Sequence, residues 1–287
     1  MNALRSDFRF LDRLRVRWAE VDMQGIVFNA HYLTYFDTAV AGYWRSLALP
    51  YQAAMERMQG DLYVRKASVE YEASARYDEQ LEVGIRCARV GKSSLRFDAA
   101  VFRGAQRLVH GELIYVFADP PTQQSRPVPA VLRSLLEDFE GGRGVFDVTL
   151  GGWEELGAAA RSLRQAVFVE EEKASAAAVA DAQDAGAVHA VARNRLGMPV
   201  AAGRLLAHGQ GVARIGRMAA LASVRGAGLG RAVLEALLAA ARQRGEHEVL
   251  LHANATAVPF YERAGFKRSG AVFEEAGLPH QEMRCTL

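Results

Sequence analysis

Little in the sequence ties this protein to a metal, a membrane or a nucleic acid. Its 287 residues include two cysteines, Cys87 and Cys285. They lie too far apart for metal-ligand spacing, so no metal is expected, and a reducing cytoplasm is the simplest compartment. No apolar run approaches the roughly eighteen residues of a membrane-spanning helix, so no membrane span is expected. The opening stretch, MNALRSDFRFLDRLRVRW, interleaves charges with apolar residues and lacks the apolar core of an export signal. Charge of one sign is not in excess either. The net charge is +2, and a cut after residue 140 leaves 18 Lys+Arg against 18 Asp+Glu before it and 17 against 15 after. With no basic block, nucleic acid is not an expected partner, although a few local positive groups suffice for a small anion. No internal repeat is visible.

What is present is core material. Half the residues are hydrophobic (50%), which excludes a wholly disordered chain. At roughly 100–200 residues per domain, the length suits one large domain or two ordinary ones. Two loops suggest the division. ADPPTQQSRPVPA (118–130) carries four prolines, and EGGRG (140–144) has three glycines after the short helical run VLRSLLEDF. A linker at 139–143 divides the chain into domains 1–140 and 141–287. The alanine-rich stretch 174–190 reads as a loose helix or loop.

The first half begins with an alternating run, RLRVRW (13–18), whose Leu14, Val16 and Trp18 share a side. A helical pattern follows from about Asn29 to Leu47, with Leu33, Phe36, Val40, Tyr43, Trp44 and Leu47 at helical spacing and Pro50 blocking continuation. Four period-2 runs come next: Val69–Ala73, Leu81–Cys87, Leu95–Val101 and Val109–Phe117. Such runs make an antiparallel sheet with one buried face, and the apolar helix must be covered by it. The expectation is a curved sheet wrapped around a long central helix. In the second half strands and helices alternate: VFDVTL, a helix WEELGAAARSLRQAVFVEEE, strands HAVAR, VAAGRLLA and VARIGRMAAL, a helix LGRAVLEALLAAARQRG, then VLLHA, PFYERAG and a final sheet region. This half reads as α/β or α+β, and the whole chain as α+β.

Two segments carry candidate chemistry. In Glu20-Val21-Asp22-Met23-Gln24-Gly25-Ile26-Val27-Phe28-Asn29 an acid precedes the start of the long helix. A helix N-terminus presents unpaired N–H groups and about half a positive charge, which polarise a carbonyl held there. A carboxylate on the preceding loop can attack that carbonyl or activate water against it. A lone Asp before a glycine is most often a turn residue or a cap. The second segment, Arg225-Gly226-Ala227-Gly228-Leu229-Gly230-Arg231, lies between a strand and a helix, where glycines admit a ligand close to backbone N–H groups that suit a pyrophosphate. It lacks the Lys-Ser/Thr of a P-loop. Val233 occupies the third glycine position of GxGxxG, which disfavours a Rossmann dinucleotide site.

Residues 13–135 resemble acyl-CoA thioesterases of the hotdog fold, of the 4-hydroxybenzoyl-CoA thioesterase type. The matching residues are Glu20, Asp22, Gly25, Val27, Tyr32 and Phe36, followed by the strand pattern through the Gly91-Lys92-Ser93-Ser94 turn. The resemblance implies that Asp22 is the catalytic carboxylate and that a backbone N–H near Asn29 polarises the thioester. It also implies substrate contacts at Gly25, Val27, Asn29 and Tyr32, and assembly into dimers or tetramers with sites between subunits. Many members have His at position 29 and Asn at 31, which leaves the role of His31 open. Lys92 stands where the family places basic groups near the CoA phosphates, or is a solvated turn lysine.

Residues 144–287 resemble GNAT-type N-acetyltransferases. Arg225, Gly228 and Gly230 meet the family turn, IGRMAAL matches the splayed strand, and Asn254 through Phe266 matches the FYxxxGF segment. The resemblance implies acetyl-CoA binding by Met218, Ala220, Arg225, Gly226, Ala227, Gly228, Leu229, Gly230, Arg231 and Asn254. It makes Tyr261 a general acid for the departing thiolate, or a packing residue only. LRQAVFVEEE (163–172) resembles a subgroup signature, with Glu172 in place of Gln; Asp181, Asp184 and His189 belong to the same pattern. Glu171 either orients an amine or ends a solvated helix. The combined expectation is a CoA-handling fusion with no tightly bound cofactor. It takes acyl-CoA and acetyl-CoA as substrates and an amine as acceptor. The competing reading is an acyl-CoA-binding protein in which one half, foremost the second, is regulatory.

Overall fold

The computed structural model describes residues 3–275 and 277–287. The chain divides into two compact units, Met1–Val145 and Phe146–Leu287. In the first, β1 (Phe10–Arg15) precedes α1 (His31–Ser46) and α2 (Tyr51–Arg57), and then come β2 (Asp61–Tyr71), β3 (Gln80–Val90), β4 (Ser94–Arg103), β5 (Gln106–Ala118) and α3 (Ala130–Glu140). The five strands form one antiparallel sheet in the order β1-β3-β4-β5-β2.

Helix α1 is buried along Tyr32, Phe36, Ala39, Val40, Tyr43 and Leu47, the three-and-four spacing of one helical face, and packs on β1, β2, β3 and β4. Close approach of helix and sheet depends on Gly111 of β5, where a Cβ would lie 2.3 Å from the Ser68 carbonyl oxygen and 2.8 Å from the Phe36 ring. Leu33 falls outside the apolar face and is exposed. The first strand also differs from expectation. It starts at Phe10 and ends at Arg15, while Trp18 lies in a short 3-10 turn, exposed and packed edge-on against Tyr77. Strand β2 begins at Asp61, eight residues before the expected Val69. As an edge strand it is largely solvated, and a bulge between Val64 and Lys66 breaks its alternation, which removes the period-2 signal.

At the far end of β3, beyond its pairing with β1, the Cys87 N–H donates to Glu140 Oε1 (2.8 Å), which also accepts the Tyr43 hydroxyl (2.6 Å). Burial raises the Glu140 carboxyl and pushes the Cys87 thiol up to about 12, so Cys87 is a buried, unreactive thiol.

The second unit runs β6 (Phe146–Gly151), α4 (Trp153–Arg164), β7 (Val188–Asn194), β8 (Pro199–Gly209), β9 (Val212–Ala220), α5 (Leu229–Gln243), β10 (Glu248–Asn254), α6 (Val258–Arg263), β11 (Lys267–Glu275) and β12 (Leu278–Thr286). The sheet order is β11-β12-β10-β9-β8-β7-β6, antiparallel except for β9 and β10, which α5 connects in parallel. In β8 every residue from Val200 to Leu205 is buried, as a central strand covered on both faces requires, and α4 and α5 both pack on it. The helix expected through Glu172 changes character after Arg164 into a π-helical segment, Gln165–Glu171.

The stretch after that segment is held by buried ions. The Arg164 guanidinium, fully buried, meets Asp184 at 3.0 Å, and Arg204 meets both Asp184 (2.8 Å) and Asp181 (2.7 Å). Burial works to raise the Asp184 carboxyl. The Asp181 N–H and the Arg204 and Arg164 guanidiniums outweigh it and hold Asp184 below the usual carboxylate range. The alanine-rich stretch is thus pinned by its two aspartates, with short 3-10 turns between. Asp184→Ala leaves the fully buried Arg164 without its counter-charge and Arg204 with Asp181 alone, and we expect it to destabilise this unit by about 3–5 kcal/mol, read by denaturant unfolding of the full chain.

Candidate active sites

In the first unit the loop before α1 is tied down at both ends. Buried Glu20 accepts bonds from the Arg17 N–H (2.7 Å) and the Tyr35 hydroxyl (2.8 Å), and its carbonyl accepts the Phe28 N–H (2.9 Å). The Val27 N–H donates to the Ala75 carbonyl (2.9 Å). Between these anchors the chain makes a tight turn. The Asp22 N–H donates to the Ile26 carbonyl, the Gly25 N–H to the Asp22 carbonyl, and Gly25 takes φ +72°, which a glycine adopts without strain. The turn projects a half-buried Asp22, whose Oδ1 accepts the Gln24 N–H (2.8 Å). Its Oδ2 has no partner among the described residues.

Asp22 opens on a cavity of about 270 Å³, lined by Val27, Phe28, Asn29, Tyr32, Tyr71 and Ser74 among others. The Tyr32 hydroxyl, raised by burial, accepts the Ala75 N–H (3.0 Å), and the Tyr71 hydroxyl donates to the Asn29 carbonyl (3.1 Å). The N–H groups of Asn29 and Ala30, at the head of α1, donate to no group among the described residues. The cavity therefore has a carboxylate and free helix-start donors in its lining segment, as carbonyl chemistry requires. Of the residues expected here, Asp22, Val27, Asn29 and Tyr32 line the cavity together. Gly25 shapes the turn without lining it. Lys92 lies in the β3–β4 turn, with its carbonyl accepting the Val128 N–H (2.8 Å), and is not a lining residue. The anchoring pair Glu20 and Tyr35 escaped sequence reasoning as a pair, because their contact joins the turn ahead of α1 to the start of α1 across 15 residues.

In the second unit β9 and β10 pair only over Val212–Arg214 and Glu248–Leu250. Past that point β9 bulges. Arg217 has φ +53°, the one non-glycine residue in a described strand with a positive φ, and its guanidinium is held by Asp181 (2.8 Å). The two strands part there, leaving Met218 and Ala220 beside the opening. A turn follows with Gly226 at φ +91° and Gly228 at φ +83°; a Cβ at either would meet nothing within 4 Å. The N–H groups of Gly226, Gly228, Leu229, Gly230 and Arg231 donate to no acceptor among the described residues. Such a row of free donors at the head of a long helix is a cradle for an anion.

The side chains around this cradle are engaged elsewhere. Arg225 pairs with Glu171 through two bonds (2.5 and 2.7 Å), and Arg231 reaches Glu235. Asn254 Oδ1 caps the turn that leads to α6 by accepting from Thr256. Tyr261, on α6, is buried against Phe260 and Phe266; burial pushes its hydroxyl up to about 12, so it stays protonated at neutral pH. Burial, aided by Glu171, also raises the Glu172 carboxyl.

The Thioesterase superfamily model matches residues 24–110, and the Acetyltransferase (GNAT) domain model matches 155–287. An acyl-CoA thioester hydrolase, YbgC of Escherichia coli O6:H1, is 30% identical over 129 residues, 44% of this chain and 92% of that protein. An uncharacterized N-acetyltransferase, YjcF of Bacillus subtilis, is 34% identical over 122 residues, 42% of this chain and 86% of that protein. The chain belongs to both families. Its first unit is a hotdog thioesterase domain and its second a GNAT domain. Among solved structures, a 1,4-dihydroxy-2-naphthoyl-CoA thioesterase from Synechocystis matches 46% of this chain and 97% of its own at 20% identity and TM-score 0.42. Among the described residues no helix is long and apolar enough to cross a membrane, and no group of three acidic, histidine or cysteine side chains gathers for a metal.

Proposed function

We propose that this protein is bifunctional, hydrolysing an acyl-CoA thioester in the hotdog domain and transferring an acetyl group from acetyl-CoA to an amine in the GNAT domain. For hydrolysis the supporting observation is one cavity lined by Asp22 and by Asn29, whose N–H is free. The thioester carbonyl oxygen takes its hydrogen bonds from Asn29 and Ala30, and the free Oδ2 of Asp22 draws a proton from the attacking water. The C–O bond forms, the C–S bond breaks, the proton held by Asp22 passes to the sulfur, and CoA leaves as the thiol with the acyl group released as the acid. For transfer, the support is the row of five free N–H groups beside the β9–β10 opening. The pyrophosphate of CoA sits on that row, its pantetheine chain enters the opening, and the Tyr261 hydroxyl protonates the departing thiolate.

A thioesterase that consumed acetyl-CoA would deplete the donor of its own partner domain, so the hydrolytic site takes longer or aromatic acyl groups. The test is thiol release from a panel of acyl-CoAs, with and without amines. Release from long or aromatic acyl-CoAs without amine supports hydrolysis, and amine-dependent release from acetyl-CoA supports transfer. No release under any condition overturns the proposal.

The hotdog cavity is open at Phe28 and Tyr71, both about half exposed, and edge strand β2 exposes Tyr63 and Val64. A second copy covering this side gives a homodimer or homotetramer. We expect the full chain to sediment as a dimer or larger; an active monomer would contradict this.

A further inference from the structure

We propose that His252 is the general base of the acetyl transfer, held in its working tautomer by Glu275; this rests on the acetyltransferase reading of the GNAT domain. His252 lies on β10 two residues past Leu250, the last residue of β10 that pairs with β9, and so on the flank of the opening where the thioester would enter. Its imidazole is one-quarter exposed, within reach of a substrate. On one side the ring packs edge-on against Phe273 of β11 (4.7 Å between centroids), which fixes its plane.

The hydrogen bonds set the tautomer. Nδ1 lies 2.7 Å from Glu275 Oε2, the geometry of an N–H donating to a carboxylate. Arg214 of β9 also approaches Nδ1 at 3.0 Å and Glu275 at 3.8 Å. Nδ1 cannot both accept from Arg214 and donate to Glu275; the carboxylate, which only accepts, is the closer of the two, so the proton is placed on Nδ1, facing Glu275, and Arg214 adds positive charge beside the same carboxylate. Burial works to raise Glu275, but the His252 bond and the Arg214 and His280 charges outweigh it and keep it ionised. Nε2 then carries the lone pair. Its nearest acid, Glu282 of β12, is 3.9 Å away, beyond hydrogen-bond range, and is itself engaged by Arg284 at 2.8 Å. A base oriented from behind by a carboxylate, with its other nitrogen free, is the arrangement by which imidazole accepts a proton in many enzymes.

In the step, an acceptor amine arrives mainly as ammonium, since free amines ordinarily titrate near ~10. Nε2 takes one proton from it, and the imidazolium is stabilised by Glu275. The freed nitrogen pair attacks the acetyl carbonyl carbon, the N–C bond forms and the C–S bond breaks. The thiolate takes the Tyr261 proton, the second proton of the acetylated nitrogen restores the Tyr261 hydroxyl, and His252 releases its own to water. The products are the N-acetyl amine, the CoA thiol and one net proton. The titratable and charged groups facing His252 are Arg214, Glu275, Glu282 and His280, the last reaching it across Phe273.

The test uses the full chain as wild type, His252→Gln and Glu275→Gln, with acetyl-CoA and the amine panel across pH, plus calorimetry with a non-hydrolysable acetyl-CoA analogue. For His252→Gln we expect kcat near neutrality to fall about 10²–10⁴-fold, with unchanged analogue affinity. The deficit should shrink at high pH, where the amine loses its proton unaided. Glu275→Gln keeps the ring and should give a smaller loss. A His252→Gln enzyme with wild-type kcat and pH profile overturns the assignment while leaving the acetyltransferase intact. A wild type that transfers to no amine overturns the acetyltransferase reading itself. Nitrogen NMR of the imidazole provides a check that needs no activity and no folded variant: a neutral ring protonated at Nε2 also overturns the assignment.

Discussion

Asp22→Asn is expected to cut thioester hydrolysis by a thousandfold or more, about the cost of removing a catalytic carboxylate, in a protein that remains folded. Asparagine keeps the oxygen that accepts the Gln24 N–H, so the local turn survives, and Asp22 is only half-buried. What is lost is the charge facing the cavity. Unfolding temperature and self-association should match wild type, and acetyl transfer should be untouched. Wild-type hydrolysis by a folded Asp22→Asn protein would remove Asp22 from the mechanism.

Gly228→Glu is expected to abolish acetyl-CoA binding in the GNAT domain while hydrolysis persists. The backbone at Gly228 is left-handed, which costs a residue with a Cβ about 1–2 kcal/mol, and no neighbour lies within 4 Å of a Cβ placed there. The decisive effect is charge, since a carboxylate would occupy the space that the free N–H groups face. Gly228→Ala carries the same backbone strain without the charge, so it should weaken binding only a few-fold. Calorimetry with a non-hydrolysable acetyl-CoA analogue reads both variants, and thiol release from longer acyl-CoAs reads the hotdog domain. If Gly228→Glu loses both activities while folded, the two sites are not independent.

By itself the sequence determined the two fold types and singled out the two segments to which the proposed chemistry is assigned, because those signals are local. The spacing of Phe36, Val40, Tyr43 and Leu47 specifies a helix with one apolar face, and the runs from Leu81 to Phe117 specify strands, since each period reports which face is buried. The glycines of 226–230 point to an open turn for the same reason, as positive φ is a property of single residues. Signals failed where burial is one-sided or absent. Edge strand β2 is solvated and bulged, so its first eight residues show no period, and Trp18 is apolar yet exposed. Only the tertiary structure decided which polar groups meet. Glu20 and Tyr35, Asp184 with Arg164 and Arg204, Asp181 with Arg217, and His252 with Glu275 are all separated in sequence by 15 to 36 residues. A lone polar residue has no period and reads the same whether solvated or paired. Its partner is chosen by how strands cross and where a helix packs, which is where the proposed chemistry of both domains resides.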